Sequence, residues 1–137
     1  MQIEAPALLI TDDDRAFRET LQGVFAPRGY RTLLAGDGEE ALSIVRNEEV
    51  HLVLLDMHMP KLTGLETLRR VKRFKAILPC ILLSAQLDEL VIEQARSAQA
   101  FSVLAKPVTM SQITGVVRQA LERTYNWTDR RGGPASV

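Results

Sequence analysis

The chain has one cysteine, no net charge and no long apolar run. A single cysteine, Cys80, permits no intramolecular disulfide, which suits a reducing cytoplasm. It lies in an apolar, strand-like run and reads as core. Lys and Arg number 17 and so do Asp and Glu. That balance gives no general attraction for nucleic acid or an anionic membrane, and the Arg130-Arg131 pair is too small to change it. No apolar stretch approaches the ~18 residues of a membrane span. Met1 to Pro6 lacks a basic segment followed by an apolar one, so no secretion signal is read there. There is no internal repeat at a fixed period and no low-complexity segment.

What remains fits one soluble domain: 137 residues, 46% hydrophobic and 25% charged. Short apolar runs occur at Ala7–Thr11, Tyr30–Ala35, Leu52–Leu55, Cys80–Leu83 and Ser102–Ala105. Most are continuously hydrophobic, as strands buried on both faces of a parallel sheet are. Tyr30–Ala35 is more mixed and reads as an edge. Helical patterns lie between them. Phe17, Leu21, Val24 and Phe25 share a face and are stopped by Pro27 and Gly29. Asp37, with Glu40 three residues on, caps a stripe of Ala41, Leu42 and Val45. Leu65, Leu68 and Val71 form a third stripe, and Leu87, Leu90, Val91 and Ala95 a fourth. Thr109 and Gln112 make a capping box ahead of Ile113, Val116, Val117, Ala120 and Leu121. Five strand–helix alternations predict an α/β domain with helices on both faces of a parallel sheet. The periodicity fades after Arg123, so residues 6–124 read as the domain and 125–137 as a flexible tail.

Ligands of open α/β sheets bind outside the carboxyl ends of the strands. The first strand ends in Asp12-Asp13-Asp14, the third in Asp56, the fourth in Ser84 and the fifth in Lys106-Pro107. The second ends in Gly36-Asp37, a turn and helix cap. Crowded carboxylates repel unless a cation compensates, and Mg²⁺ suits oxygen ligands. One carboxylate would stay free as a nucleophile toward phosphorus. Phosphoryl transfer needs mainly positioning and charge neutralisation, which a metal on one side and Lys106 on the other would supply, with Ser84 adding a hydrogen bond.

These residues resemble the receiver domain of bacterial two-component response regulators. The matching stretches are Leu8-Leu9-Ile10-Thr11-Asp12-Asp13, Val53-Leu54-Leu55-Asp56-Met57-His58-Met59-Pro60 with Gly64, Ile81-Leu82-Leu83-Ser84-Ala85, and Val103-Leu104-Ala105-Lys106-Pro107. The resemblance implies a flavodoxin-like, doubly wound (βα)5 fold with a five-stranded parallel sheet in order 2-1-3-4-5. It implies Asp56 as phosphoacceptor, and Asp12 and Asp13 as the pair holding Mg²⁺ (or Mn²⁺) with Asp56 and the backbone carbonyl of His58. Ser84 matches the switch hydroxyl and Lys106 the lysine that pairs with the phosphoryl group. Pro107 matches a proline after a cis peptide bond, and Gly64 a turn position needing unusual backbone freedom. The implied donor is a histidine kinase or histidine phosphotransfer protein. The implied output is contact with a downstream protein or a homodimer, through the fourth helix, fifth strand and fifth helix.

Asp14 reads as a helix cap, the His58 side chain as solvent-facing, and His51 as structural. His58 and Gln86 stand two positions after Asp56 and Ser84, where the family places side chains that tune phosphoryl lifetime. Val103 departs from the family, which usually has an aromatic three residues before the lysine. Phe101 lies two residues earlier, on the same strand face by alternation, and reads as core. The enzyme alternative is a phosphatase of the haloacid-dehalogenase type, with Asp12 as nucleophile and Asp14 as second carboxylate. Ala16 departs from that pattern, and Asp56-Met57-His58-Met59-Pro60 would go unexplained. A receiver fragment of a longer regulator is a further alternative.

Overall fold

A computed structural model describes residues 3–128. Its parallel sheet has the order β2-β1-β3-β4-β5. The strands are β1 Ala7–Thr11, β2 Arg31–Ala35, β3 Leu52–Asp56, β4 Cys80–Ser84 and β5 Ser102–Ala105. The helices are α1 Arg15–Phe25, α2 Gly38–Asn47, α3 Gly64–Phe74, α4 Glu89–Ser97 and α5 Met110–Tyr125. A 3-10 turn, Ala26–Arg28, follows α1, and Gly29 takes φ 93 as the chain turns into β2.

The apolar runs are continuous because strands alternate sides and both sides are covered. Leu9, Val53, Leu55, Cys80 and Leu82 face one core with Ala41, Leu42 and Val45 of α2 and Leu65, Leu68 and Val71 of α3. Leu8, Ile10, Leu52, Leu54, Ile81 and Leu83 face the other, against α1 and α5. Parallel pairing sets the register, with Leu9 opposite both Leu33 and Val53 and Leu54 opposite Ile81. All five strands therefore end at one edge. Cys80 is fully buried and burial pushes its thiol up to about 12, so it packs as a small hydrophobe.

Three expectations shift. Tyr30 lies before β2, where its N–H donates to the Phe25 carbonyl (3.3 Å) and its ring meets Phe25 edge-on. The fourth apolar stripe does not face inward as a unit. Asp88 caps α4, which leaves Leu87 outside the helix, and Leu90 is 65% exposed. Val91 and Ala95, four apart, form the inward line and Leu90 sits about 100° off it. Order also continues past residue 124. Tyr125 closes α5, its hydroxyl donates to the His51 carbonyl (2.8 Å), and Trp127 Nε1 donates to the Ile3 carbonyl (2.8 Å). The remainder of the expected tail lies outside the described residues.

His51 is the centre of this clasp. Its Nδ1 accepts the Ala7 N–H (2.9 Å), so the neutral ring carries its proton on Nε2. A protonated ring would set a donor against a donor. Burial pushes the His51 pKa down; Glu49 opposes this, while Arg31 and Lys75 add to it. A depressed histidine binds its proton better unfolded, so its contribution is full above the ordinary value of 6.5 and is lost as pH falls through it. Between pH 7.5 and 5.5 the unfolding free energy from urea titrations should drop more for the wild type than for His51→Gln, by about 1 kcal/mol, the order of one buried hydrogen bond. Equal drops would show that His51 carries none of the acid sensitivity.

Candidate functional site

Asp12 follows β1 and is still held to the sheet, its N–H donating to the Ala35 carbonyl (3.1 Å). It is buried; Oδ1 accepts the Asp14 N–H (2.9 Å) and Oδ2 accepts Lys106 Nζ (2.9 Å). Its carbonyl accepts Arg18 Nη1 (2.6 Å). Asp14 caps α1 by accepting the Phe17 N–H (3.2 Å), as expected. Asp56 ends β3, buried, with Oδ1 3.0 Å from Lys106 Nζ. Lys106 follows β5, its N–H donating to the Ser84 carbonyl (2.8 Å), and the Lys106-Pro107 peptide is cis. Asp12, Asp13 and Asp56 each offer one carboxylate oxygen, all within 4.8 Å of one another, with Asp13 exposed.

Burial pushes the Asp56 pKa up, and the Asp12 charge adds to this; the Lys106 hydrogen bond and the His58 N–H oppose it without overcoming it. Burial works against the Lys106 charge, but Asp12 and Asp56 together hold its pKa above the usual 10.5. One ammonium thus serves a cluster of three carboxylates. An all-oxygen donor set with surplus negative charge fits a hard divalent cation.

Asp12, Asp13, Asp56 and Lys106 come together as the strand ends predict. Ser84 is buried at the same edge, but its hydroxyl is spent on its own loop, donating to the Gln86 carbonyl (2.6 Å) and accepting the Gln86 N–H (3.2 Å). The His58 and Gln86 side chains are exposed.

Gly64 is needed for a different reason than backbone freedom. Its φ is not left-handed; Lys61 takes that conformation, at φ 68. A Cβ on Gly64 would instead stand 2.2 Å from the Asp56 carbonyl oxygen. Val103 packs on the α2/α3 core and Phe101 on the opposite one, so they do not share a face. Phe101 precedes β5, outside its regular alternation.

Three contributions were missed in the sequence. Arg18 holds the Asp12 carbonyl, Phe17 places its ring centroid 4.4 Å from Lys106 Nζ, and Thr63 with Glu66 forms a capping box that starts α3 beside Asp56. Thr63 and Glu66 did carry the box's three-residue spacing; Arg18 carried no signal.

Fold and site together define a flavodoxin-like α/β domain with an acidic, cation-ready pocket at its carboxyl edge. The response regulator receiver domain family matches residues 8–118, and the chain belongs to it. It is 36% identical over 117 residues to the response regulator MprA of Mycobacterium sp. (strain KMS), covering 85% of this chain and 51% of that protein. It thus spans about half the length of that relative. It is 35% identical over 119 residues to the sporulation initiation phosphotransferase F of Bacillus subtilis (strain 168), covering 87% of this chain and 96% of that one. Its fold matches a chain of the CheX-CheY-BeF3-Mg+2 complex from Borrelia burgdorferi, with a TM-score of 0.81 and 26% identity over 85% of this chain and 89% of that one. The phosphatase alternative is not favoured: Asp14, its second carboxylate, is spent capping α1.

Proposed function

We propose that the chain is a phosphorylation-activated switch of a cytoplasmic two-component phosphorelay, with Asp56 accepting a phosphoryl group from a histidine kinase or histidine phosphotransfer protein. The observation that carries this reading is the Asp12–Lys106–Asp56 bridge beside Asp13 at the strand edge. Asp12, Asp13, Asp56 and the His58 carbonyl would hold Mg²⁺ (or Mn²⁺), which when bound neutralises charge on the phosphoryl oxygens. An Asp56 carboxylate oxygen would attack phosphorus as the bond from phosphorus to the donor's histidine nitrogen breaks and the imidazole leaves, and Lys106 would pair with the transferred group. Ser84 must release the Gln86 carbonyl to reach that group, which moves the β4–α4 loop. The domain read as residues 6–124 extends through Tyr125 and Trp127, which clasp it to His51 and Ile3. It catalyses only its own phosphorylation and dephosphorylation. Output passes through protein contact at α4, β5 and α5, where Leu90, Ile92 and Met110 are exposed, and involves neither nucleic acid nor membrane insertion.

Incubation with Mg²⁺ and a small phosphodonor tests this. The expected product is an acid-stable, alkali-labile adduct that maps to Asp56 by mass and is absent from Asp56→Asn. An adduct on Asp12, or sustained turnover of phosphate esters, would overturn the reading.

A further inference from the structure

We propose that Phe17 is a positioning residue for Lys106, holding its ammonium beside Asp56 when a divalent cation claims Asp12. The inference rests on the receiver reading above.

The Lys106 ammonium has three N–H donors. Two reach Asp12 Oδ2 (2.9 Å) and Asp56 Oδ1 (3.0 Å), and the Phe17 ring stands 4.4 Å away, within cation–π range. Asp12 is also one of the three carboxylates that suit a cation, so both positive groups want the same side chain. A divalent cation there competes with the ammonium for Asp12 and repels it. Lysine hangs on a flexible four-carbon stem, and Asp56, which still reaches it at 3.0 Å, is itself shared with the cation, so the ammonium swings toward water unless a further contact steadies it. The ring is well placed for that. The Phe17 N–H is bonded to Asp14, and the next residue, Arg18, is bonded to the Asp12 carbonyl, so the turn that carries the ring is tied to the acidic loop. Phe17 also packs against the α1/α5 core, a role that leucine could fill. Leucine has no negative ring face.

Phe17→Leu and Phe17→Tyr therefore separate the two roles. In proton NMR of lysine-labelled protein, the Lys106 Hε resonances should lie upfield from the ring current, with and without saturating Mg²⁺. Phe17→Tyr should keep that shift and Phe17→Leu should lose it. With acetyl phosphate at saturating Mg²⁺, Phe17→Leu should be phosphorylated about two- to fivefold more slowly, the worth of one cation–π contact. Phe17→Tyr should restore the rate, and Phe17→Leu should change nothing in a Lys106→Met background. The proposal is overturned if Mg²⁺ abolishes the wild-type upfield shift or if Phe17→Leu keeps the full rate. It is equally overturned if Phe17→Leu slows the Lys106→Met protein as much, which would mean simple core loosening. If the wild type takes no phosphoryl group at Asp56, the receiver reading fails instead, and the NMR measurement still decides whether Phe17 holds Lys106.

Discussion

Asp56→Asn is expected to abolish phosphate incorporation and, at neutral pH, to raise the melting midpoint of the metal-free protein. Burial is the largest influence on Asp56 and pushes its pKa above the ordinary 3.8. A carboxyl whose folded pKa is raised binds its proton better folded than unfolded. Its contribution is therefore most favourable below the unfolded value and is lost as pH rises through the folded one. At pH 7 the ionised group stands as a cost, and asparagine is its neutral counterpart in shape. Lys106 keeps Asp12 at 2.9 Å in the variant, so the ammonium is not orphaned. At this chain length about 1 kcal/mol moves the midpoint by roughly 4 °C, within reach of calorimetry. The gap should shrink as pH falls toward the ordinary carboxylate value of 3.8, since wild-type Asp56 takes up its proton above it. Saturating Mg²⁺ should narrow it too, by binding the native carboxylates of the wild type. A lower midpoint for the variant would mean that the Lys106–Asp56 attraction outweighs burial.

The strand ends were legible because one rule governs them: a parallel sheet delivers all its carboxyl ends to one edge. Asp12, Asp56, Ser84 and Lys106 follow from locating five apolar runs. The α4 stripe was misread because a count of apolar residues does not say where a helix starts. Asp88 as cap puts Leu87 outside, and Val91 and Ala95 alone give the inward direction. Phe101 was misplaced by extending strand alternation one residue beyond the strand. Arg18 and the ring of Phe17 were illegible because their partners, the Asp12 carbonyl and the Lys106 ammonium, are brought to them only by the tertiary fold. The state of the Ser84 hydroxyl belongs to the same class, since its partner is a loop carbonyl.

Gly64→Ala is expected to damage stability and phosphorylation together, although alanine is the better helix former. Gly64 opens α3 and its N–H donates to the Met57 carbonyl (3.0 Å), folding the start of the helix back onto the end of β3. An added Cβ would meet the Asp56 carbonyl oxygen at 2.2 Å and the Met57 Cα at 2.9 Å. Both are backbone, so no flexible side chain can move aside. Either the helix start retreats, breaking the Thr63–Glu66 capping box, or Asp56 is displaced. Overpacking of this kind costs about 2–3 kcal/mol. A displacement near 1 Å at a reacting group costs about a hundredfold in rate, so phosphorylation should fall by at least about tenfold. Gly115→Ala is the matched control. It also lies within a helix, but its Cβ would meet nothing within 4 Å, and it should gain up to about 1 kcal/mol. Urea midpoints and rates of adduct formation on both variants decide the matter. A Gly64→Ala protein with wild-type stability and rate would mean that the β3–α3 turn yields without moving Asp56. Loss of rate with stability retained would assign the strain to Asp56 rather than to the helix.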